Sequence, residues 1–276
     1  MKARNPARKK GPPRIKAVIF DYGGTLFRSK RPWSEVKARG LAAAYETLRT
    51  GGLESSLQKF VKVSDAVFEE FEKAEAKEDR DIPDRTKYLE VVERLLPDLP
   101  KAKKSRLAGE ANRAFWKVAT ETYPMRKSAK PALKHIQSKG LRMGILSNHH
   151  NYESLVSHLQ DSGIHGHFEV VLASEKEGIR KPNTEIFERS LKALGVESHE
   201  AIFVGDSPRH DIVGARSSGI TTVLIDDGGP RDSWTHPEGL DPDMSTPDYV
   251  IADLAELRGI VDSLSARSTR RTKKRG

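Results

Sequence analysis

The rhythm of apolar and polar positions along the chain changes twice. Residues 15–20, IKAVIF, form a short run of branched side chains, which predicts a strand buried on both faces. From Ser34 to Tyr123 the spacing becomes helical. SEVKARGLAAAYETLRTGG ends on Gly51 and Gly52, a helix stop. SLQKFVKVSDAVFEEFEKAEAKEDR sets Phe60, Val61, Ala66, Val67, Phe68 and Phe71 on a broad apolar stripe. DRTKYLEVVERLLPDLP and KKSRLAGEANRAFWKVATETYP continue the pattern, so this block predicts about four helices and no strand. Its aromatic residues are expected in its own core, with Arg28 and Trp33 nearer the junction to the rest of the chain.

From Ser128 onward strand and helix alternate. The helix SAKPALKHIQSKG precedes the strand LRMGILS, and a helix near Asn151 to Gln160 precedes FEVVLAS. TEIFERSLKALG, AIFVGDS, HDIVGARSSG and TTVLIDD repeat the alternation, and DYVIADLAEL closes it with a short strand and a helix. Such alternation predicts a parallel sheet with helices on both faces. Right-handed crossovers bring the strand C-termini to one rim, where ligands bind, and the helical block inserted after the first strand can cover that rim.

Composition narrows the class. At 276 residues the chain is long enough for one large domain, or for a domain carrying an inserted second one. No run approaches the roughly 18 apolar residues of a membrane span, and no apolar segment follows the basic N-terminus, so a cytoplasmic location is expected. The absence of cysteine excludes disulfides, thiolate metal sites and a cysteine nucleophile. The net charge of +9 is uneven: the chain up to Lys16 carries +7 and the chain from Arg267 carries +6, leaving −4 in between. Two basic tails, expected to be disordered, therefore flank a mildly acidic body. They read as solubilising segments or as a weak polyanion contact, nucleic acid being the obvious partner, and without aromatic residues to stack on bases the former is preferred.

Four stretches carry the chemistry. Asp21 to Thr25 follow the first strand, Ser147 and Asn148 end another, Arg180, Lys181 and Pro182 are expected just after a strand, and Gly205-Asp206-Ser207 lies shortly before Asp211. Asp21 and Asp206 are hard oxygen ligands suited to Mg²⁺. Lys181 is a point charge for a phosphate oxygen. Ser147 and the N–H groups after it can donate to phosphate, and Gly23 and Gly24 allow a sharp turn. Taken singly, Ser147 and Asp211 could be helix caps and Asp206 a turn residue; their joint placement on one rim favours a site. His149 and His150 either touch substrate or stand exposed on a loop.

These stretches resemble the haloacid dehalogenase superfamily, mostly phosphohydrolases. DYGGTL is similar to its first motif, D-x-D-G-T-L, and ILSN to its second. GIRKPNTEIF and GDSPRHDIVGA resemble its third and fourth, and the resemblance spans roughly residues 15–260. It implies an α/β fold: a Rossmann-like parallel sheet with helices on both faces and an inserted α-helical cap. The implied layout is tails at 1–14 and 265–276, a core of 15–29 with 126–264, and a cap of 30–125. It also implies that Asp21 is the nucleophile and that Asp21, the carbonyl of Gly23, Asp206 and Asp211 hold Mg²⁺. Gly24, Thr25, Ser147, Asn148 and Lys181 would bind the phosphate of a small substrate.

One position departs from the pattern. Gly23 stands where phosphatases of this family usually carry a second aspartate, which protonates the leaving oxygen and then activates water. Four readings follow. Either the proton is handled by water, substrate, a cap residue or His149; or the enzyme is phosphonatase-like, using a cap lysine; or it is a 2-haloacid dehalogenase, disfavoured by the retained metal residues; or the chain binds a phosphate ligand or polyanion without catalysis. Metal-dependent phosphate ester hydrolysis is the expectation.

Overall fold

Six strands form one parallel sheet: β1 (Ala17–Phe20), β2 (Arg142–Ser147), β3 (Val170–Ala173), β4 (Ala201–Gly205), β5 (Thr221–Ile225) and β6 (Tyr249–Ile251). The structure, a computed structural model, describes residues 15–29, 31–78, 81–228 and 239–266. Its helices are α1 (Trp33–Thr50), α2 (Leu57–Glu78), α3 (Asp84–Leu95), α4 (Lys101–Glu121), α5 (Ala129–Ser138), α6 (Tyr152–Asp161), α7 (Ser174–Glu177), α8 (Thr184–Ala193), α9 (Val213–Ser217), α10 (Pro242–Ser245) and α11 (Leu257–Ala266). The predicted tails lie outside the described residues, except that 265 and 266 continue α11.

The strand order is β3-β2-β1-β4-β5-β6. β1 is buried along its whole length, and its alternate residues serve two cores. Val18 and Phe20 pack with Leu133 and Ile136 of α5, Leu155 of α6 and Leu257 of α11. Ala17 and Ile19 pack with Ile186 and Phe187 of α8 and Ala215 of α9. A strand covered on both faces must be apolar at every position, as this one is. From β1 the chain moves outward to β3, then returns to β4 on the opposite side of β1. Strand order therefore reverses between β1 and β4, and the crevice at their C-terminal ends is the topological switch point.

The predicted helical block folds as α1 to α4 around a separate apolar cluster that includes Leu48, Phe60, Val67, Tyr88 and Phe115. α1 and α3 both pack on α4, and α2 packs on α3. The two chain crossings between this insertion and the sheet lie side by side. Phe27 and Met125 form an antiparallel bridge, the N–H of Arg28 donates to Pro124 O at 3.0 Å, and the N–H of Arg126 donates to Leu26 O at 2.9 Å. Arg28 and Arg126 share Asp227, at 2.9 and 3.0 Å. No helix among the described residues is long and apolar enough to cross a membrane.

Two local features differ from the sequence reading. Lys181 does not directly follow a strand: β3 stops at Ala173, α7 intervenes, and Gly178 ends that turn at φ +71° before the loop to Lys181. The helix expected from His210 opens as a π-helical turn, Pro208–Ile212, in which the N–H of Ile212 donates to Ser207 O at 3.2 Å, and Ser207 Oγ caps its start by accepting the N–H of His210 at 3.1 Å.

Candidate active site

Asp21 leaves β1 at the switch point, its N–H donating to Val204 O on β4 at 2.8 Å. Phe20 pairs in register with Val204, so Asp206, two residues beyond Val204, comes level with the Asp21 turn. Gly24 makes that proximity feasible. It sits at φ +85°, and a Cβ there would lie 2.0 Å from Asp206 Oδ2. Its N–H donates to Phe27 O at 2.7 Å and its carbonyl accepts from Arg126 at 2.7 Å. Gly23 is the opposite case: a Cβ there would meet nothing within 4 Å.

Lys181 is 2% exposed and bridges two carboxylates. Its ammonium donates to Asp21 Oδ1 at 2.7 Å and to Asp211 Oδ1 at 2.6 Å. The other Asp211 oxygen accepts the N–H of Ser207 at 2.9 Å. Asn148 fixes the Lys181 backbone from both sides, accepting its N–H at 2.8 Å and donating to its carbonyl at 2.9 Å. Ser147 ends β2, buried beside these groups. It does not cap α6, since Asn151 takes that position and accepts the N–H of Ser154 at 2.8 Å. Thr25 is fully buried, and its hydroxyl has no hydrogen-bond partner among the described residues.

Asp21, Asp206 and Asp211 each offer an oxygen within 4.8 Å of the others. Burial pushes the Asp21 carboxyl up to about 6, with Lys181 opposing and Asp211 adding to the rise. Burial, followed by the neighbouring charges of Asp21 and Asp211, pushes Asp206 well up. Lys181 rises because the two carboxylates outweigh its own burial. Three carboxylates against one ammonium leave negative charge uncompensated, and a hard divalent cation is the natural complement to such an oxygen set.

Beyond the carboxylates a cavity of about 630 Å³ runs between the sheet and the helical insertion. Gly23 and Asn148 line it on the sheet side, and Trp33, Phe68, Phe115 and Trp116 on the insertion side. Neither histidine of the second motif is an exposed loop residue. His149 is buried between Trp116 and Tyr22, with ring centroids 4.5 and 5.5 Å away. Its Nδ1 accepts the N–H of Asn151 at 3.1 Å. Burial, with His150 nearby, lowers its pKa to about 3. It is therefore neutral at physiological pH and unsuited to general acid work.

His150 instead meets a second charged cluster. Its Nδ1 lies 3.3 Å from Asp81 and 3.9 Å from Asp84. Lys87 contacts Glu75 at 2.9 Å and Asp84 at 3.4 Å, and Trp116 Nε1 donates to Asp84 at 3.1 Å. Although burial alone would lower Lys87, Asp84 and Glu75 raise it, which disfavours the neutral amine that lysine nucleophilic or base chemistry needs. This cluster was missed from the sequence, although a signal exists. Asp84 and Lys87 share one face of α3 with Tyr88, Val91 and Val92, so two charges occupy core positions.

A profile of haloacid dehalogenase-like hydrolases matches residues 15–219. The chain belongs to the haloacid dehalogenase-like hydrolases. It is 28% identical over 256 residues to a glyceraldehyde 3-phosphate phosphatase of Methanopyrus kandleri, covering 91% of this chain and 99% of the relative. A ribulose-1,5-bisphosphate 5-phosphatase of Halopiger xanaduensis is 27% identical, over 89% and 98%. A phosphoserine phosphatase of Thermus thermophilus is 35% identical, over 54% of this chain and 56% of its own length. These relatives put the chain with the phosphohydrolases of the family. Solved structures agree on the fold. A 2-haloacid dehalogenase from Pseudomonas syringae superposes with a TM-score of 0.65 at 20% identity, over 90% of this chain and 99% of its own. A haloacid dehalogenase-family phosphatase from Thermococcus onnurineus superposes at 0.56 and 23%, over 90% and 98%.

Proposed function

We propose that this protein hydrolyses a small phosphate ester through an aspartyl-phosphate on Asp21, with Mg²⁺ as cofactor. The observation that carries this reading is the buried Asp21–Lys181–Asp211 bridge at the switch point, with Asp206 within reach of the same centre. Lys181 holds Asp21 in one orientation through Oδ1, which leaves the carboxylate positioned to attack phosphorus. The same ammonium lies where charge develops on the transferring group. Asn148 keeps Lys181 in place through its backbone, and Ser147 stands ready to donate to a phosphate oxygen. Asp21, Asp206, Asp211 and the carbonyl of Gly23 would hold Mg²⁺, which neutralises phosphate charge when bound. α1 to α4 act as a cap that screens the reaction from water and selects the leaving group.

The relatives named above act on small phosphorylated metabolites, which supports a substrate of that class. The test is steady-state hydrolysis of 4-nitrophenyl phosphate with Mg²⁺ and with chelator, beside Asp21→Asn. Metal-dependent turnover that falls by a factor on the order of 10³ or more in the variant is expected. Equal rates for the two proteins would refute the mechanism.

A further inference from the structure

Gly23 offers no proton to the leaving group, yet an alkoxide leaving group needs one. Most charged groups that line the cavity are already engaged. Lys87 is held by Glu75 and Asp84, Lys37 pairs with Asp65 at 2.8 Å, and His149 is held neutral. His150 differs. Nδ1 is its carboxylate-facing nitrogen, and no described residue bonds Nε2. The side chain lines the same cavity as Gly23 and is 24% exposed. Trp116 stacks on it with ring centroids 6.5 Å apart and planes 29° apart, which fixes the plane of the imidazole.

Asp81 is its partner, from the loop between α2 and α3. Its carboxylate is buried and meets His150 Nδ1 at 3.3 Å and Arg180 at 3.7 Å. Its backbone N–H donates to Gly178 O at 3.4 Å, so the insertion and the sheet domain meet here. A carboxylate beside one imidazole nitrogen favours the charged form of a histidine and leaves the other nitrogen available to a reactant.

We propose that His150 is the proton donor that replaces the missing aspartate, with Asp81 as its positioning residue, so that the donor is assembled only when the helical insertion rests on the sheet domain. The proposal rests on Asp21 as the nucleophile. As Asp21 forms its bond to phosphorus, the bond from phosphorus to the leaving oxygen breaks. That oxygen keeps the electron pair and takes the proton from Nε2. Water then attacks phosphorus and gives a proton to the neutral imidazole. The bond to Asp21 breaks, releasing phosphate and restoring both the carboxylate and the imidazolium.

The surroundings favour the charged form of His150. Burial alone would lower its pKa, but Asp84 and Asp81 outweigh burial and raise it, against smaller opposition from Lys87. Glu75 pairs with Lys87, Arg180 reaches the same Asp81 oxygen as His150, and the adjacent His149 is neutral.

The experiment compares glyceraldehyde 3-phosphate, an alkyl ester, with 4-nitrophenyl phosphate, whose leaving group needs little protonation. The full chain, His150→Gln, Asp81→Asn and His150→Gln/Gly23→Asp are assayed with Mg²⁺. In His150→Gln, kcat for the alkyl ester should fall about 10²–10³-fold, at least tenfold more than for the aryl ester. The double variant should regain tenfold or more, because the space at Gly23 is open. Asp81→Asn should move the high-pH limb of kcat down by about one unit, a change that loss of packing would not produce. Equal losses on both esters, no rescue by Gly23→Asp, an unmoved limb, or a wild-type chain inert towards the alkyl ester would each overturn the proposal. Should His150→Gln fail to fold, the Asp81→Asn profile decides. Acid-quench trapping of a phosphorylated Asp21 separates the two failures. No trapped intermediate defeats the nucleophile, whereas a trapped intermediate without the leaving-group effect defeats His150 alone.

Discussion

Gly23 and Gly24 are neighbours in one turn, yet alanine at the two positions should have opposite consequences. At Gly24 the backbone is left-handed, which costs an alanine about 1–2 kcal/mol. The new methyl would also lie 2.0 Å from Asp206 Oδ2 and 2.3 Å from its Cγ, so the carboxylate must move. Forcing such a contact adds about 1–3 kcal/mol, for a total of about 2–5 kcal/mol. At Gly23 nothing lies within 4 Å, and the backbone is outside the left-handed region. Alanine there restricts only the unfolded chain and should stabilise by up to about 1 kcal/mol. Urea unfolding in chelator measures both effects without any contribution from bound metal. Calorimetric titration with Mg²⁺ should then show weakened binding by Gly24→Ala and near-normal binding by Gly23→Ala. Coincident unfolding midpoints for the two variants would refute the packing argument, and unaltered Mg²⁺ binding by Gly24→Ala would refute the place given to Asp206.

Two further outcomes follow from the buried charges. Lys181→Met removes the ammonium between Asp21 and Asp211, which should cost about 3–5 kcal/mol in urea unfolding and lower turnover about 10²–10³-fold; turnover within tenfold of wild type would contradict the bridging role. His149 and His210, held neutral with pKa values lowered to about 3 and about 4, in both cases mainly by burial, should each take stability away on acidification, while the carboxyls of Asp21 and Asp206, raised by burial, act the other way. At these two histidines the unfolded chain binds more protons between the unfolded value of about 6.5 and the lowered values, so their contribution weakens folding as pH falls through that window. His150, whose folded pKa is raised, contributes the other way, its stabilisation being present at low pH and lost as pH rises through that value. Denaturant midpoints of the wild type and His149→Gln at pH 7, 5 and 4 test this, and between pH 7 and 4 the wild type should lose more stability relative to the variant.

The elements were legible because each apolar run has one period. The run IKAVIF became β1, covered on both faces, and the helical block from Ser34 became α1 to α4 with its own core. Asp21 and Asp206 converge as expected, since strand ends in a parallel sheet share a rim, whereas Lys181 reaches them from a loop beyond α7 and Asp211 from the turn after β4. The means by which Lys181 is held was not legible. Asn148 grips it across 33 residues of chain through side chain-to-backbone bonds, a contact that no periodicity encodes. The His150 cluster escaped for a related reason: its members come from α2, α3, the loop before α3 and two loops of the sheet domain, and only packing brings them together.

The paired crossings at Phe27–Arg28 and Pro124–Arg126 have an evolutionary reading. Because the chain leaves the sheet domain and returns to it through one short bridge, everything between the crossings is a cassette. Exchanging it need not alter a strand register or a residue of the carboxylate centre. The sheet side of the junction is clamped by the Asp227 pairs and by Arg126 on the Gly24 carbonyl. Descent can therefore refit the upper half of the cavity while the carboxylate half stays as it is.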